Sequence, residues 1–215
     1  MTKDIGKSIL DYLNAAANLY YYIPVKKLLE IYNSQNEPLT EEEFCDILEQ
    51  ILNERQFFDL FSEDEIVTGK PDDTPTSEKI LLAEHLYCMG DFDDYFELKE
   101  ATYGLPYHIL DKNSFLKYAD EFYVEKTLEF ISLRAYFRSI PSLSREDADD
   151  LAAETADTLR FFNEDPEYIF TRMKQLEIFP ENKNKYNQFM NLLSDLSRKV
   201  RLASLRGSTI EEMQD

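Results

Sequence analysis

Five carboxylates, Glu146, Asp147, Asp150, Glu154 and Asp157, recur at three- and four-residue intervals and so share one face of a helix. Carboxylates spaced this way hold magnesium against a pyrophosphate in helical phosphohydrolases, where hard oxygen ligands link the ion to phosphoryl oxygens. Glu146, Asp150, Glu154 and Asp157 are therefore the metal candidates of this chain. Against them stands an apolar stripe on the opposite side, Ala148, Leu151, Thr155 and Leu159, which puts the carboxylates on the solvated face. The second carboxylate helix of such a site could come only from Glu42 to Glu49, and no spacing pairs the two segments.

Other chemistry has less material. His85 and Cys88, three apart, could both reach a common ion, but structural zinc takes four ligands, and Cys45 and His108 are isolated. The run Asp91-Phe92-Asp93-Asp94 lacks the twelve-residue ligand spacing and the glycine of a calcium loop. Two histidines in total and no G-x-S-x-G elbow leave almost nothing for a Ser/His or Cys/His nucleophile. Five scattered glycines exclude a phosphate-cradling loop. The sequence thus nominates no catalytic residue and no cofactor, and it leans away from an enzyme.

Charge is the remaining signal. The chain carries a formal net charge of −20 and a pI near 4.4, which repels a polyanion unless its cations are concentrated. They are concentrated in one place: residues 172–206 hold 8 basic and 3 acidic residues, a net of +5 against −25 elsewhere. Lys183, Lys185, Arg198, Lys199, Arg201 and Arg206 are the candidate contacts for a polyanion. The alternative is intramolecular. Tyr186, Phe189, Met190, Leu193, Leu196, Val200 and Ala203 commit one face of the same helix to a core, and its cations then relieve the self-repulsion of an acidic body.

The elements that must position these groups are mostly α-helical. A 215-residue chain with 43% hydrophobic residues buries a real core, and only 5 Gly and 8 Pro argue against a sandwich or barrel. Ile5, Ile9, Leu10, Leu13, Ala16 and Ala17 mark a first helix, and Pro24 opens a second through Asn33. Thr40 with Glu43 forms a capping box for a third, whose apolar face is Phe44, Ile47, Leu48, Ile51 and Leu52. Phe57 to Phe61 and Glu65 to Val67, around polar Ser62-Glu63-Asp64, predict a β-hairpin.

Three helices followed by a hairpin is the order of a winged helix, expected over residues 1–70. Residues 69–76 have no apolar anchor and read as a linker. A helical bundle is expected over 77–215. Its helices would run from Ser77 to Met89, from Asp111 to Phe137 with a break near Thr127, from Ser144 with Asp147 at the capping-box position, from Asp165-Pro166, and from Asn182 to Arg206, where Gly207 ends the last. A DNA-reading third helix needs basic or amide side chains. Here it offers Glu41, Glu42, Glu43, Asp46, Glu49 and Glu54 against Arg55 alone, and residues 1–68 hold 5 basic and 14 acidic residues. That composition predicts a protein-contact or structural module.

Two stretches resemble a known group. Tyr22-Ile23-Pro24-Val25-Lys26-Lys27-Leu28-Leu29-Glu30-Ile31-Tyr32-Asn33 is similar to the opening of helical proteins, mostly of Firmicutes, many of which end in a zinc motif like that of the SecA translocase tail. Arg206-Gly207-Ser208-Thr209-Ile210-Glu211-Glu212 is similar to their Arg-Gly-x-Thr-Pro-Asn-Glu ending, and departs from it at Ile210 and Glu211. The resemblance covers the two ends and neither motif is catalytic. It implies a helical scaffold protein of a Gram-positive bacterium, without zinc, since the cysteine-rich module is absent here.

Cys45 and Cys88 read as reduced core residues, residues 1–6 have no apolar signal core, and no run approaches the roughly 20 apolar residues of a membrane span. The expectation is a cytoplasmic, non-enzymatic interaction protein with a protein partner and no membrane contact. A nucleic-acid regulator acting through the tail comes second and a magnesium phosphohydrolase third.

Overall fold

In a computed structural model, which describes residues 2–52, 56–87, 91–161, 167–178 and 182–214, helix dominates and three short strands interrupt it. The scarcity of turn-forming residues has the predicted consequence: a mostly α protein with a small antiparallel sheet. The chain divides into two compact units, Met1–Tyr123 and Val124–Asp215.

The first unit is built on α1 (Thr2–Tyr20), whose Ile9, Tyr12, Leu13, Ala16 and Tyr20 are fully buried. β1 (Tyr22–Pro24) follows at once, then α2 (Val25–Gln35) and α3 (Glu41–Ile51). An aromatic chain ties these helices together, with the Tyr12 ring 5.0 Å from Tyr32 and 5.3 Å from Phe115, and Tyr32 5.9 Å from Phe44. β2 (Phe58–Phe61) and β3 (Ile80–Ala83) complete the sheet in the order β1-β3-β2. Pairing is antiparallel throughout, with Ile23 opposite Leu81 on one side of β3 and Leu60 opposite Leu81 on the other. Apart from a short helix between β2 and β3, the order helix, strand, two helices and two strands, with the last strand central, is that of a winged helix.

Three expectations change here. The hairpin expected between 57–61 and 65–67 instead joins β2 to β3, because Glu65 to Val67 lie in α4 (Glu63–Thr68). The Ser62 side chain accepts from the Glu65 N–H and the Glu65 carboxylate accepts from the Ser62 N–H, so a capping box starts a helix where a strand was expected. Gly69, at φ 66°, ends it in the left-handed region. Residues 69–76 are therefore not a linker between domains but part of the wing between two paired strands, and a boundary at 70–77 would remove the central strand from its own sheet. The helix expected from Ser77 to Met89 is replaced by β3, four residues all buried, with a continuous apolar run that suits a central strand; Met89 lies outside the described residues. The tyrosine run that breaks the first helix turns the chain at Tyr21, φ 62°, into β1.

The unit continues through α5 (Asp93–Ala101), α6 (Lys112–Phe115) and a 3₁₀ turn at Leu116–Ala119. The helix expected from Asp111 to Phe137 with a break near Thr127 is thus divided: α6 and the 3₁₀ turn belong to this unit, and the helix that starts after Thr127 belongs to the second.

In the second unit Thr127 caps α7 (Leu128–Arg138), which packs with α8 (Arg145–Phe161) and α10 (Lys183–Ser197), while α9 (Glu167–Gln175) lies on α8. Their shared core includes Phe130, Leu133, Phe137, Leu151, Met173, Phe189 and Leu196. The Asp165-Pro166 start expected for α9 lies outside the described residues. α10 stops at Ser197 rather than Arg206. Beyond it, a 3₁₀ turn at Ala203–Leu205 and left-handed Arg206 (φ 53°) and Gly207 (φ 81°) reverse the chain. The Leu202 N–H donates to the Ser208 carbonyl and the Gly207 N–H to the Leu202 carbonyl. Buried Val200 and Ala203 keep their apolar role, in a turn instead of a helix.

Candidate functional site

In a winged helix the third helix and the wing are the surfaces offered to a ligand. α3 begins with the expected box: Thr40 accepts from the Glu43 N–H at 3.2 Å, and Glu43 Oε2 accepts from the Thr40 N–H at 2.9 Å. The Thr40 N–H and hydroxyl, both donating to Glu43 Oε2, hold the Glu43 carboxyl below its ordinary range. Phe44 and Leu48 turn inward, which leaves Glu41, Glu42, Glu43, Asp46 and Glu49 exposed. Glu54 and Arg55 lie outside the described residues.

The wing is acidic as well. Residues 62–79 contain Glu63, Asp64, Glu65, Asp72, Asp73 and Glu78 against Lys70 and Lys79. Ser62 is buried and donates to Asp72 Oδ2 at 2.5 Å, and Asp72 Oδ1 accepts from the Thr74 N–H. These bonds hold the Asp72 carboxyl below its ordinary value. Thr76 Oγ1 donates to Glu49 Oε1 at 2.9 Å, which fastens the wing to α3. Glu63 fastens it to α5, accepting from Lys99 Nζ at 2.7 and 2.8 Å and from the Tyr95 hydroxyl at 3.1 Å. Burial first and the Glu63 carboxylate second push the Tyr95 phenol far up.

The metal candidates on α8 are not brought together. Glu146, Asp150 and Asp157 are exposed, and Ala148, Leu151, Thr155 and Leu159 are buried on the other side, as the stripe predicts. Glu154 meets Arg172 at 3.4 Å and Asp157 meets Arg160 at 3.6 Å. Among the described residues no group of three or more His, Cys, Asp or Glu is placed to hold a metal. The His85 ring lies edge-on to Tyr21 at 4.4 Å; its proposed companion Cys88 is outside the described residues. Half-buried Cys45 has a thiol pushed up by burial and by Glu41, Glu49 and Asp46.

The tail cations divide into two sets. Lys183 and Lys185 are exposed in the first turn of α10. Arg198 donates to Gln214 Oε1 at 3.2 Å, and Lys199 pairs with Glu211. Arg201 is well enclosed, its side chain 12% exposed. It donates through Nε to Glu125 at 3.1 Å, through both terminal nitrogens to Glu212 at 2.9 and 3.1 Å, and to the Gly207 carbonyl at 3.0 Å. Glu212 is held in turn by a capping-box exchange with Thr209. The stretch from Arg206 to Glu212 therefore closes a clasp, whose Thr-x-x-Glu spacing was visible in the sequence although its partner Arg201 was not. Arg206 forms the left-handed turn that lets the clasp close.

Sequence reasoning missed two features. An open groove of about 310 Å³ lies against α7 and α10, with Leu128, Ser132 and Leu192 beside Glu129, Asp195 and Lys199. Large apolar side chains also stand exposed on α4 and α5, including Val67 and Phe96. Among the described residues no helix is long and apolar enough to cross a membrane. No family model, no curated protein and no solved structure matches the chain.

Proposed function

We propose that this chain is a non-enzymatic interaction or scaffold protein whose winged-helix unit meets protein rather than nucleic acid. One observation carries the reading: the helix in the DNA-reading position exposes five carboxylates from Glu41 to Glu49 and has no basic residue. Each carboxylate facing a phosphate opposes the counterion release that drives DNA binding. A basic protein surface meets the same charges favourably, with its encounter rate raised by their field. A cytoplasmic setting belongs to this reading, because Cys45 is a free thiol. The resemblance of the chain's two ends to helical proteins of Firmicutes adds no site residue.

The test is a pull-down from the native host with wild type and with Glu42→Lys/Asp46→Lys. A partner retained by the first and lost by the second supports the reading. Recovery of the same proteins by both defeats it, as does binding of labelled duplex DNA that weakens steeply with salt.

The second reading, polyanion contact through the tail, keeps one observation in its favour, the exposure of Lys183 and Lys185. The expected effect of reversing Lys199 and Arg201 is structural, because both are joined to carboxylates of their own unit. Magnesium chemistry on α8 draws no support from carboxylates that point to solvent or face Arg172 and Arg160.

A further inference from the structure

Resting on the interaction reading, we propose that the outer face of α4 and α5 is the docking site for a basic amphipathic segment of a partner protein. Val67 is 70% exposed, Phe96 42% and Tyr103 89%. The Glu63–Lys99 ion pair joins the two helices that carry them, and helical spacing sets each apolar side chain beside that pair. Val67 follows Glu63 by four residues on α4, and Phe96 precedes Lys99 by three on α5. Such spacings place side chains next to one another on a helix face. Tyr103 follows Lys99 by four, and its N–H donates to the Glu100 carbonyl, so the turn continues to it. Beneath the patch the helix is firmly seated: Tyr95 is fully buried and its hydroxyl donates to Glu63.

Exposed apolar side chains occur singly on most proteins, and it is their grouping that marks a contact surface. The rim identifies what kind of contact. Asp64 lies one turn before Val67, Asp93 one turn before Phe96 and Glu100 one turn after it, all exposed. A nucleic acid or an anionic lipid surface would bring like charge onto this rim. A segment with two or three large apolar residues at three- and four-residue intervals, flanked by lysine or arginine, fills the patch and meets the carboxylates in one pose. Its apolar anchors supply most of the affinity and its cations the steering and register. The groove beside α7 and α10 carries no comparable assignment, since its walls hold both signs of charge in similar measure.

The test uses the full chain and a fluorescein-labelled 18-residue helical peptide of leucine and lysine, with its leucines on one face. Anisotropy near physiological salt should show saturable binding, weakened tenfold or more by Val67→Ser/Phe96→Ser and several-fold by Tyr103→Ser, which leaves both helices intact. Leu128→Ser, an exposed apolar position of the second unit, should leave it unchanged. Equal binding of a scrambled peptide of the same composition would overturn the proposal, since charge alone would then suffice. So would wild-type affinity in the double variant. Should Glu42→Lys/Asp46→Lys on α3 abolish binding while the patch variants do not, the assignment to α4 and α5 falls and the interaction reading stands. Should the peptide fail to bind and the host pull-down fail too, both fall. Concentration-dependent dimerisation lost in Val67→Ser/Phe96→Ser would make the occupant a second copy of the chain and overturn the proposal as stated.

Discussion

Replacing Arg201 by glutamine separates a structural cation from an available one. Its guanidinium donates to Glu125, twice to Glu212 and to the Gly207 carbonyl, all between 2.9 and 3.1 Å. A buried hydrogen bond to a charged group contributes about 1.5–3 kcal/mol, whereas an exposed ion pair contributes about 0.2–1 kcal/mol. The side chains of Glu125 and Glu212 are 27% and 36% exposed, so water screens them in part, and about 1 kcal/mol for each carboxylate is the appropriate scale. Loss of the carbonyl partner adds about 0.5–1 kcal/mol.

Arg201→Gln should therefore destabilise residues 124–215 by about 2–3 kcal/mol, or a melting temperature lower by about 10–15 °C for a unit of this size. Lys183→Gln, at an exposed position, should stay within about 0.5 kcal/mol. Native-state hydrogen exchange on peptides from residues 124–215 reads the effect in that unit alone. Protection in Arg201→Gln equal to wild type would refute the clasp and return Arg201 to the set of available cations.

Leu81 sits at the centre of the sheet with no exposure, so Leu81→Ala should cost about 2–5 kcal/mol in chemical denaturation. A loss below about 1 kcal/mol would contradict β3 as a core strand. Residues 1–123 expressed alone should unfold cooperatively and residues 1–70 should not, because the shorter piece lacks β3; a cooperative transition in 1–70 by circular dichroism would favour a domain that ends at residue 70. Ser62→Ala removes the cap of α4 and the bond to Asp72, and about 1–2 kcal/mol of stability with them; a neutral result would show that the wing does not need its box. The Arg138 guanidinium, which forks onto the Asp149 carboxylate, holds that carboxyl below its ordinary value. A depressed pKa stabilises the fold above the unfolded value, about 3.9, and the contribution disappears as pH falls through the folded one. The stability gap between wild type and Asp149→Asn should accordingly be full at pH 6 and shrink steadily below about pH 4; a gap unchanged down to about pH 2 would exclude the pairing.

Local signals were legible where a few neighbouring residues decide the structure. Thr40 with Glu43 and Ser144 with Asp147 marked helix starts, since a cap is an exchange of bonds across three residues. The apolar stripe of α8 was legible for the same reason. Ser62 with Glu65 carries the same capping signal, but the apolar residues on either side of it also fit a hairpin. Ile80 to Ala83 misled because four apolar residues in a row fit a buried strand and a buried helix equally. What separates the two is pairing, and the partners of β3 lie at Tyr22–Pro24 and Phe58–Phe61, far off along the chain.

The sequence by itself determined the helical class, most of the caps and the distribution of charge, because these follow from composition and short-range spacing. It determined too that the third helix, Glu41–Ile51, is acidic. Tertiary structure alone decided that the tyrosine run after α1 and an apolar tetrapeptide some 60 residues later belong to one sheet, a fact of backbone pairing that no local pattern encodes. It decided equally how the tail's cations are placed: Arg201 finds Glu125 across 76 residues, while Lys183 stands exposed in the first turn of α10. Charge is written in the chain, but neutralisation depends on which carboxylate folding brings within about 3 Å.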